Sequence, residues 1–266
     1  MLINVSKYQN LNSKFVSMDD EETLKQNLKT MPDGWIWRDK EITYQTNSFG
    51  YRAPPFEEIS LDNYFLSLGD SNVFGVGLSN ELIFTSLLSK KTGVNGINLG
   101  IPGCSTDFIF SNIINSLEMF HKKPKFILIA WPNLYRKTWF VDNDVYFWIP
   151  QLSHTEKKFK EIDDISVLTS NHKHHVYTEF TYRKKSIEQL CVANGIKLVQ
   201  FYFPWTGGEA DGVKKIEISW GSIQSQSLEY FNTHKARDWS SKLGGHYGPL
   251  YHQAVSDYAE SMLCLK

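Results

Sequence analysis

Cysteine is scarce in this sequence, and its placement excludes two kinds of site. Cys104, Cys191 and Cys264 are odd in number and far apart, so they make no complete disulfide framework, and none has the closely spaced partner that a zinc site requires. They read as reduced, mostly buried thiols. An excess of charge is missing too. The 28 Lys and Arg are offset by 29 Asp and Glu, so no global field favours nucleic acid or an anionic membrane, and a polyanionic substrate is not suggested. No apolar run approaches the ~20 residues of a membrane-spanning helix. The opening stretch MLINVSKYQNLNSKF has no basic region followed by an apolar one, which argues against a signal peptide. The expectation is a soluble protein, cytoplasmic where it is made.

Two further motifs fail on inspection. Gly75-Val76-Gly77 follows an apolar run, but Asn80 stands where a dinucleotide loop would have its third glycine, and no Lys-Ser/Thr pair follows to make a phosphate loop. His172, His174 and His175 crowd into one short stretch without the spacing of a zinc site, and are expected on a solvated loop. No metal or organic cofactor is implied.

What the sequence does have is apolar material in a repeating order. Hydrophobic residues make up 41% of the 266 residues and aromatic ones 14%, enough for a sizeable core in one domain, with some rings left over to line a cleft. Residues 1–60 read as an N-terminal extension packed on the main domain. They carry a polar helical stretch from Asp19 to Lys29, then Trp35 and Trp37, then a short strand pair between Ile42 and Arg52 turning at Asn47-Ser48. From residue 61 to 266, short apolar runs alternate with helical patterns. The runs Tyr64–Leu68, Gly96–Leu99, Lys125–Trp131 and Ile196–Phe203 suit buried parallel strands. Helical patterns follow Ser79 and Ser105, run from Val176 to Ala193, and begin again at Pro249. The stretch from Pro132 to His175 is expected to be irregular. The order argues for a three-layer α/β/α domain, a flavodoxin-like parallel sheet with helices on both faces.

In such a sheet, reactive groups collect beyond the carboxyl ends of the strands. Those ends deliver Gly69-Asp70-Ser71-Asn72, then Asn98-Leu99-Gly100-Ile101-Pro102-Gly103, then Trp131-Pro132-Asn133, and Gly245-His246-Tyr247-Gly248 precedes the last helix. A serine, exposed glycine N–H groups, an asparagine and a histidine are the parts of acyl transfer: nucleophile, base, and donors to an oxyanion.

These segments resemble the blocks of the SGNH/GDSL hydrolase family from Tyr64 to the C-terminus. YFLSLGDSNVFGVG is similar to its first block, where the serine of G-D-S attacks, here Ser71. NLGIPG resembles the second, which makes the N–H of Gly103 an oxyanion donor, with Gly100 as the alternative register. AWPN stands in the place of the third, giving Asn133 as a side-chain donor. GGHYGPLYH resembles the last, with His246 as base and His252 on the following helix in a structural position. The resemblance implies a serine esterase that hydrolyses carboxylic esters through an acyl-enzyme, with the Ser71 N–H completing the oxyanion hole.

Two positions depart from the pattern. The third block's G-x-N-D keeps only its asparagine in Trp131-Pro132-Asn133-Leu134. The aspartate three residues before the histidine is replaced by Leu243. Asp238 is the nearest upstream carboxylate for a triad; a Ser–His dyad is the other arrangement, and a binding or assembly module with a decayed site is the other function. Trp131 and Trp205 end strands on the same side and are expected to bind substrate. Rings there suit an acylated carbohydrate or small-molecule ester with a short acyl group such as acetate. Oligomeric state is not encoded in any of these features.

Overall fold

The computed structural model describes residues 2–16, 19–31, 33–141, 144–150, 160–203, 214–215, 237 and 246–263. Its centre is a parallel sheet. Strand β3 (Tyr64–Leu68) lies between β4 (Asn95–Asn98) and β5 (Phe126–Trp131), followed outward by β8 (Lys197–Tyr202) and β9 (Lys214–Lys215), so the order is β4-β3-β5-β8-β9. Counted from β3, this is the 2-1-3-4-5 order of flavodoxin-like sheets.

Alternation along each strand divides the core into two layers. Tyr64, Leu66, Leu68, Ile127, Ile129, Trp131 and Tyr202 face α4 (Thr106–Met119) and α6 (Lys173–Asn194), meeting Phe108, Ile113, Phe180 and Ile187. Phe65, Phe126, Leu128, Ala130, Val199 and Phe201 face α3 (Phe84–Thr92) and α7 (Pro249–Leu263), meeting Leu88, Tyr251 and Val255. Helices therefore cover both faces, and every residue of β3 and β5 is buried. Ser67 is the polar exception within β3, and its hydroxyl is 2.6 Å from Thr85 Oγ1.

The N-terminal segment is built into this core. Leu2, Val5, Tyr8, Tyr51 and Phe56 belong to the layer beneath α4. Trp35, Trp37, Ile42 and Tyr44 pack with Phe74, Val76, Leu78 and Ile83. Helix α1 (Glu21–Thr30) is capped by Asp20, whose carboxylate accepts the Thr23 N–H at 2.6 Å. The strand pair expected between Ile42 and Arg52 is different in the structure. Strand β2 (Tyr44–Gln45) pairs with β1 (Asn12–Ser13), and no strand returns from Asn47. Asn47 Oδ1 accepts the N–H groups of both Phe49 and Tyr51, and Gly50 takes φ +91°, so the chain closes into a tight loop that turns Arg52 inward.

Two more expectations change. The stretch after Pro132 contains an antiparallel hairpin, β6 (Lys137–Val141) with β7 (Asp144–Trp148), and a helix α5 (Lys160–Ser170). His174 and His175 lie in the first turn of α6, with His175 Nε2 3.4 Å from Glu179 Oε1, and not on a loop.

Arg52 is the bolt between the N-terminal segment and the sheet. Its guanidinium is buried, with Nη1 donating to Gly75 O at 2.8 Å and Phe74 O at 3.2 Å, and Nη2 to Leu78 O at 2.8 Å. It also lies over the Tyr44 ring, 4.8 Å from the centroid. Burial pulls its pKa down to about 10, which still leaves it charged at neutral pH. Replacing it by Met strands those carbonyls, each worth ~1–3 kcal/mol when left unsatisfied. Arg52→Met is therefore expected to lower unfolding stability by about 3 kcal/mol or more. Urea denaturation with an unchanged m-value checks this, and a loss under ~1 kcal/mol would mean that water replaces the guanidinium.

Candidate active site

The carboxyl end of β3 runs directly into α2 (Ser71–Phe74). So abrupt a turn needs a residue without a side chain: a Cβ on Gly69 would lie 2.3 Å from Val73 Cγ2 and 2.7 Å from Ala130 O. Asp70 caps α2, its Oδ1 accepting the Asn72 N–H at 3.0 Å. Its Oδ2 accepts from Arg136 Nη1 at 2.8 Å. Ser71 follows at the first helical position, 4% exposed. Among the described residues neither its N–H nor its Oγ has a hydrogen-bond partner.

The segment after β4 is laced to this turn. Leu99 N–H donates to Ser67 O and Ile101 N–H to Gly69 O, which carries the β3–β4 ladder past the end of the strands. Asn98 bridges across, its Nδ2 donating to Val73 O at 2.8 Å and its Oδ1 accepting the Gly100 N–H at 2.9 Å. Gly100 therefore has its donor engaged, and a Cβ there would lie 2.5 Å from Phe74 N. Gly103 differs. It sits at φ +84°, and its N–H has no acceptor among the described residues. Of the two glycines, Gly103 is the one with a free donor. Cys104, next to it, is an anchor: its thiol donates to Gly69 O at 3.1 Å, and burial raises its pKa far above that of an ordinary thiol.

The third segment leaves β5 at Trp131. Asn133 Oδ1 accepts the Tyr135 N–H at 2.9 Å, and Asn133 O accepts the Arg136 N–H at 3.1 Å. With its side-chain oxygen turned to the Tyr135 N–H in this way, Asn133 has its amide N–H groups free to donate among the described residues. Trp131 is not available to a substrate. It has no exposed surface, its ring stands edge-on to Phe180 at 5.0 Å, and its Nε1 donates to Gln200 Oε1 at 3.0 Å. It shares the strand face of Ile127 and Ile129, and so belongs to the core. Trp205 and Asp238 lie outside the described residues.

His246 is 6% exposed and immediately precedes Tyr247, which stacks on Phe203 beyond the end of β8 (5.4 Å) and on Tyr251 (4.1 Å). Both histidine and serine thus lie at the carboxyl edge of the sheet. His252 is an anchor within the core: its Nδ1 accepts the Phe84 N–H at the start of α3 at 3.1 Å. Burial, then the nearby His246 and Arg52, push its pKa down to about 3.

Sequence reasoning passed over Arg136, Asn98 and Arg52. Asn98 had a local signal, since a polar residue ending a buried strand needs partners; the two arginines find theirs only in three dimensions. A cavity of about 490 Å³ opens elsewhere, between the N-terminal loop and Asn80, lined by Asn10, Thr43, Gln45, Thr46 and Arg52 among others, and it contains none of Ser71, Gly103, Asn133 or His246. Among the described residues no group of His, Cys, Asp and Glu is arranged to hold a metal ion, and no helix is long and apolar enough to cross a membrane.

No family model and no curated protein matches the chain. Solved structures do. The chain is similar to TesA, at 13% identity and a TM-score of 0.44, covering 76% of this chain and 99% of that one. It is similar to the psychrotrophic esterase EstA from Pseudoalteromonas sp., at 13% identity and a TM-score of 0.42, covering 76% and 97%. It is also similar to a GDSL-like lipase from Bacteroides thetaiotaomicron, at 13% identity and a TM-score of 0.36, covering 76% and 87%. The likeness is one of fold, and at these scores it carries no argument about chemistry.

His252 sets an acid limit on the fold. Its folded pKa lies below the ordinary 6.5, so the unfolded chain binds the extra proton between pH 6.5 and 3. Stability is therefore full above about pH 6.5 and falls by about 1.4 kcal/mol per unit as the pH drops through that window. His252→Gln keeps an acceptor for the Phe84 N–H but does not titrate. Between pH 7 and 4.5 the wild type is expected to lose about 2–3 kcal/mol more than this variant. Equal losses in urea titrations at the two pH values would refute the assignment.

Proposed function

We propose that the chain is a serine hydrolase that cleaves carboxylic esters through an acyl-enzyme on Ser71. One observation carries the reading: the Ser71 N–H, the Gly103 N–H and the Asn133 amide have donors without acceptors around a buried serine whose Oγ is likewise unpartnered among the described residues. Three donors left open on segments stitched to one turn, with Asn133 half-buried and so within reach of a ligand, suit an anion that forms only during reaction, which is the requirement of an oxyanion hole.

In the mechanism that follows, Ser71 Oγ attacks the ester carbonyl while His246 takes its proton and then returns it to the leaving alcohol. The three donors hold the tetrahedral oxyanion. Water, deprotonated by the same imidazole, releases the acid. Asp238 is the proposed orienting carboxylate for His246; if the enzyme works as a dyad, Asp238→Asn stays active, whereas in a triad it loses several orders of magnitude through a misheld tautomer.

The acyl group is proposed to be short. A Cβ placed on Gly103 would lie 3.1 Å from Ile149 Cδ1 and 3.6 Å from Phe147 Cβ, so the end of the β6–β7 hairpin packs beside the proposed oxyanion donor, where it would crowd a long chain. An acetylated carbohydrate or a small-molecule ester is the substrate class we propose. A second reading, a binding module with a decayed site, is favoured by Leu243 alone, which replaces the family's usual acid.

Fluorophosphonate labelling separates the two, because only an activated serine reacts quickly. The wild type is expected to label at Ser71 and to hydrolyse p-nitrophenyl acetate, with Ser71→Ala folded, unlabelled and at least ~10³-fold slower. A folded wild type that does not label sinks the hydrolase reading. On p-nitrophenyl esters, acetate should turn over best and activity should fall steeply with chain length. Ile149→Ala should move the optimum to longer acyl groups, and a wild-type maximum at octanoate or beyond would overturn the short-acyl assignment.

A further inference from the structure

Arg136 has no part in the chemistry proposed above, yet it is placed at its centre. Its backbone N–H closes a tight turn on Asn133 O at 3.1 Å, so its main chain moves with the asparagine. Its guanidinium reaches across 66 residues of sequence to Asp70, with Nη1 2.8 Å from Oδ2. The Asp70 side chain is 3% exposed and that of Arg136 18%. The other Asp70 oxygen fixes the Asn72 N–H at the start of the helix that carries Ser71.

We infer that the Asp70–Arg136 ion pair is a strut that sets the separation between the Ser71 N–H and the Asn133 amide, making Arg136 a positioning residue for the oxyanion hole; the inference rests on the hydrolase reading. The two donors come from different strands, β3 and β5, and are linked at the site by this pair. A strut explains why the pair is polar. A buried ion pair is weak evidence for stability, because desolvation offsets most of the attraction. This one is also incompletely satisfied, since Arg136 Nε is buried without a hydrogen-bond partner. An arrangement selected for stability would satisfy that group or replace the pair with apolar contact. An anion-binding role for Arg136 fits less well, because Asp70 already neutralises its charge at contact distance.

Rate depends steeply on such placement. A shift of ~1 Å at a reacting group costs on the order of 100-fold. The test compares Asp70→Asn, Arg136→Lys, Arg136→Ala and the double variant Asp70→Asn/Arg136→Ala, with p-nitrophenyl acetate kinetics and fluorophosphonate labelling as readouts. Asp70→Asn keeps an N-cap for α2, so it preserves the local fold if the arginine variants do not. Each single variant is expected to lose about 100-fold in kcat with KM within about threefold, and Arg136→Lys to recover part of it. The double variant should be no slower than the worse single one, because the two groups act as one unit. Guanidinium ion added to Arg136→Ala should raise kcat at least tenfold.

Losses that multiply in the double variant overturn the strut, as does a rise in KM at constant kcat, or wild-type labelling rates in folded Asp70→Asn. A wild type that fails to label at Ser71 overturns the hydrolase reading, and the strut's role falls with it. Wild-type labelling together with indifferent Asp70 and Arg136 variants overturns the strut alone.

Discussion

The closeness of two backbones at Gly69 governs the whole carboxyl edge of the sheet. With no side chain between them, β3 comes to within contact of Ala130 on β5, and α2 can begin without an intervening loop. The Gly69 carbonyl then becomes a fixed point. It accepts the Ile101 N–H and the Cys104 thiol, which draws the whole 99–104 segment against the serine turn. Alanine at this position would push Val73 and the β5 backbone apart together, because its Cβ meets both at under 3 Å. The site is thus a consequence of main-chain packing before any side-chain chemistry enters.

Charge fixes what packing leaves free. Arg52 holds three carbonyls of the segment after Ser71, and a second buried network holds the N-terminal segment to the distant C-terminal half. Arg237 pairs with Asp19 through Nε at 2.9 Å and Nη2 at 2.6 Å, Tyr44 OH donates to the same carboxylate, and Gly77 N–H donates to Tyr44 OH at 2.6 Å. Asn27 adds a bond to Arg237 O at 2.5 Å. Asp19, Tyr44 OH and Arg237 each have at least two partners in this chain, Arg237 Nη2 also donating to Lys14 O at 2.6 Å, and groups satisfied in this way favour one arrangement over several.

The sheet was legible because its signal is short-range. Buried parallel strands need continuous apolar runs, and FILIAW and YFLSL are such runs, each at the end of a turn-rich stretch. The three turns that leave β3, β4 and β5 were legible for the same reason, being local motifs. Features made by distant pairing were not. The β1–β2 pair joins Asn12 to Gln45, and nothing within either segment announces the other. The β6–β7 hairpin was hidden by composition: KTWFV and DVYFW alternate weakly, with Lys137 buried against Glu179 and Phe140 exposed, the reverse of what hydropathy suggests. Trp131 was misjudged although parity along β5 was available. Counting by twos from Ile127 and Ile129 places it under α6, while its position at a strand end says nothing of the face it takes.

Rigidity of this origin bears on the proposed hydrolase, in which His246 lacks the acid that the family pattern places three residues upstream. Donors held by backbone geometry and buried ion pairs are already oriented before charge develops, so they need no reorganisation when the carbonyl oxygen becomes negative. Hydrolases stripped of their triad retain a residual acceleration of ~10³–10⁴ from oxyanion stabilisation and binding alone. In the proposed site the candidate oxyanion donors are each held by local bonds: Ser71 on a capped helix, Gly103 beside the Cys104 anchor, and Asn133 with its oxygen bonded to the Tyr135 N–H. Leu243, by contrast, stands where the resembling pattern carries its acid, three residues before His246. A site weighted toward preorganised donors and away from a fixed triad tolerates that substitution better than one whose rate depends mainly on the base. The departure at Leu243 is therefore compatible with a working esterase on electrostatic grounds, whichever carboxylate or carbonyl orients the imidazole.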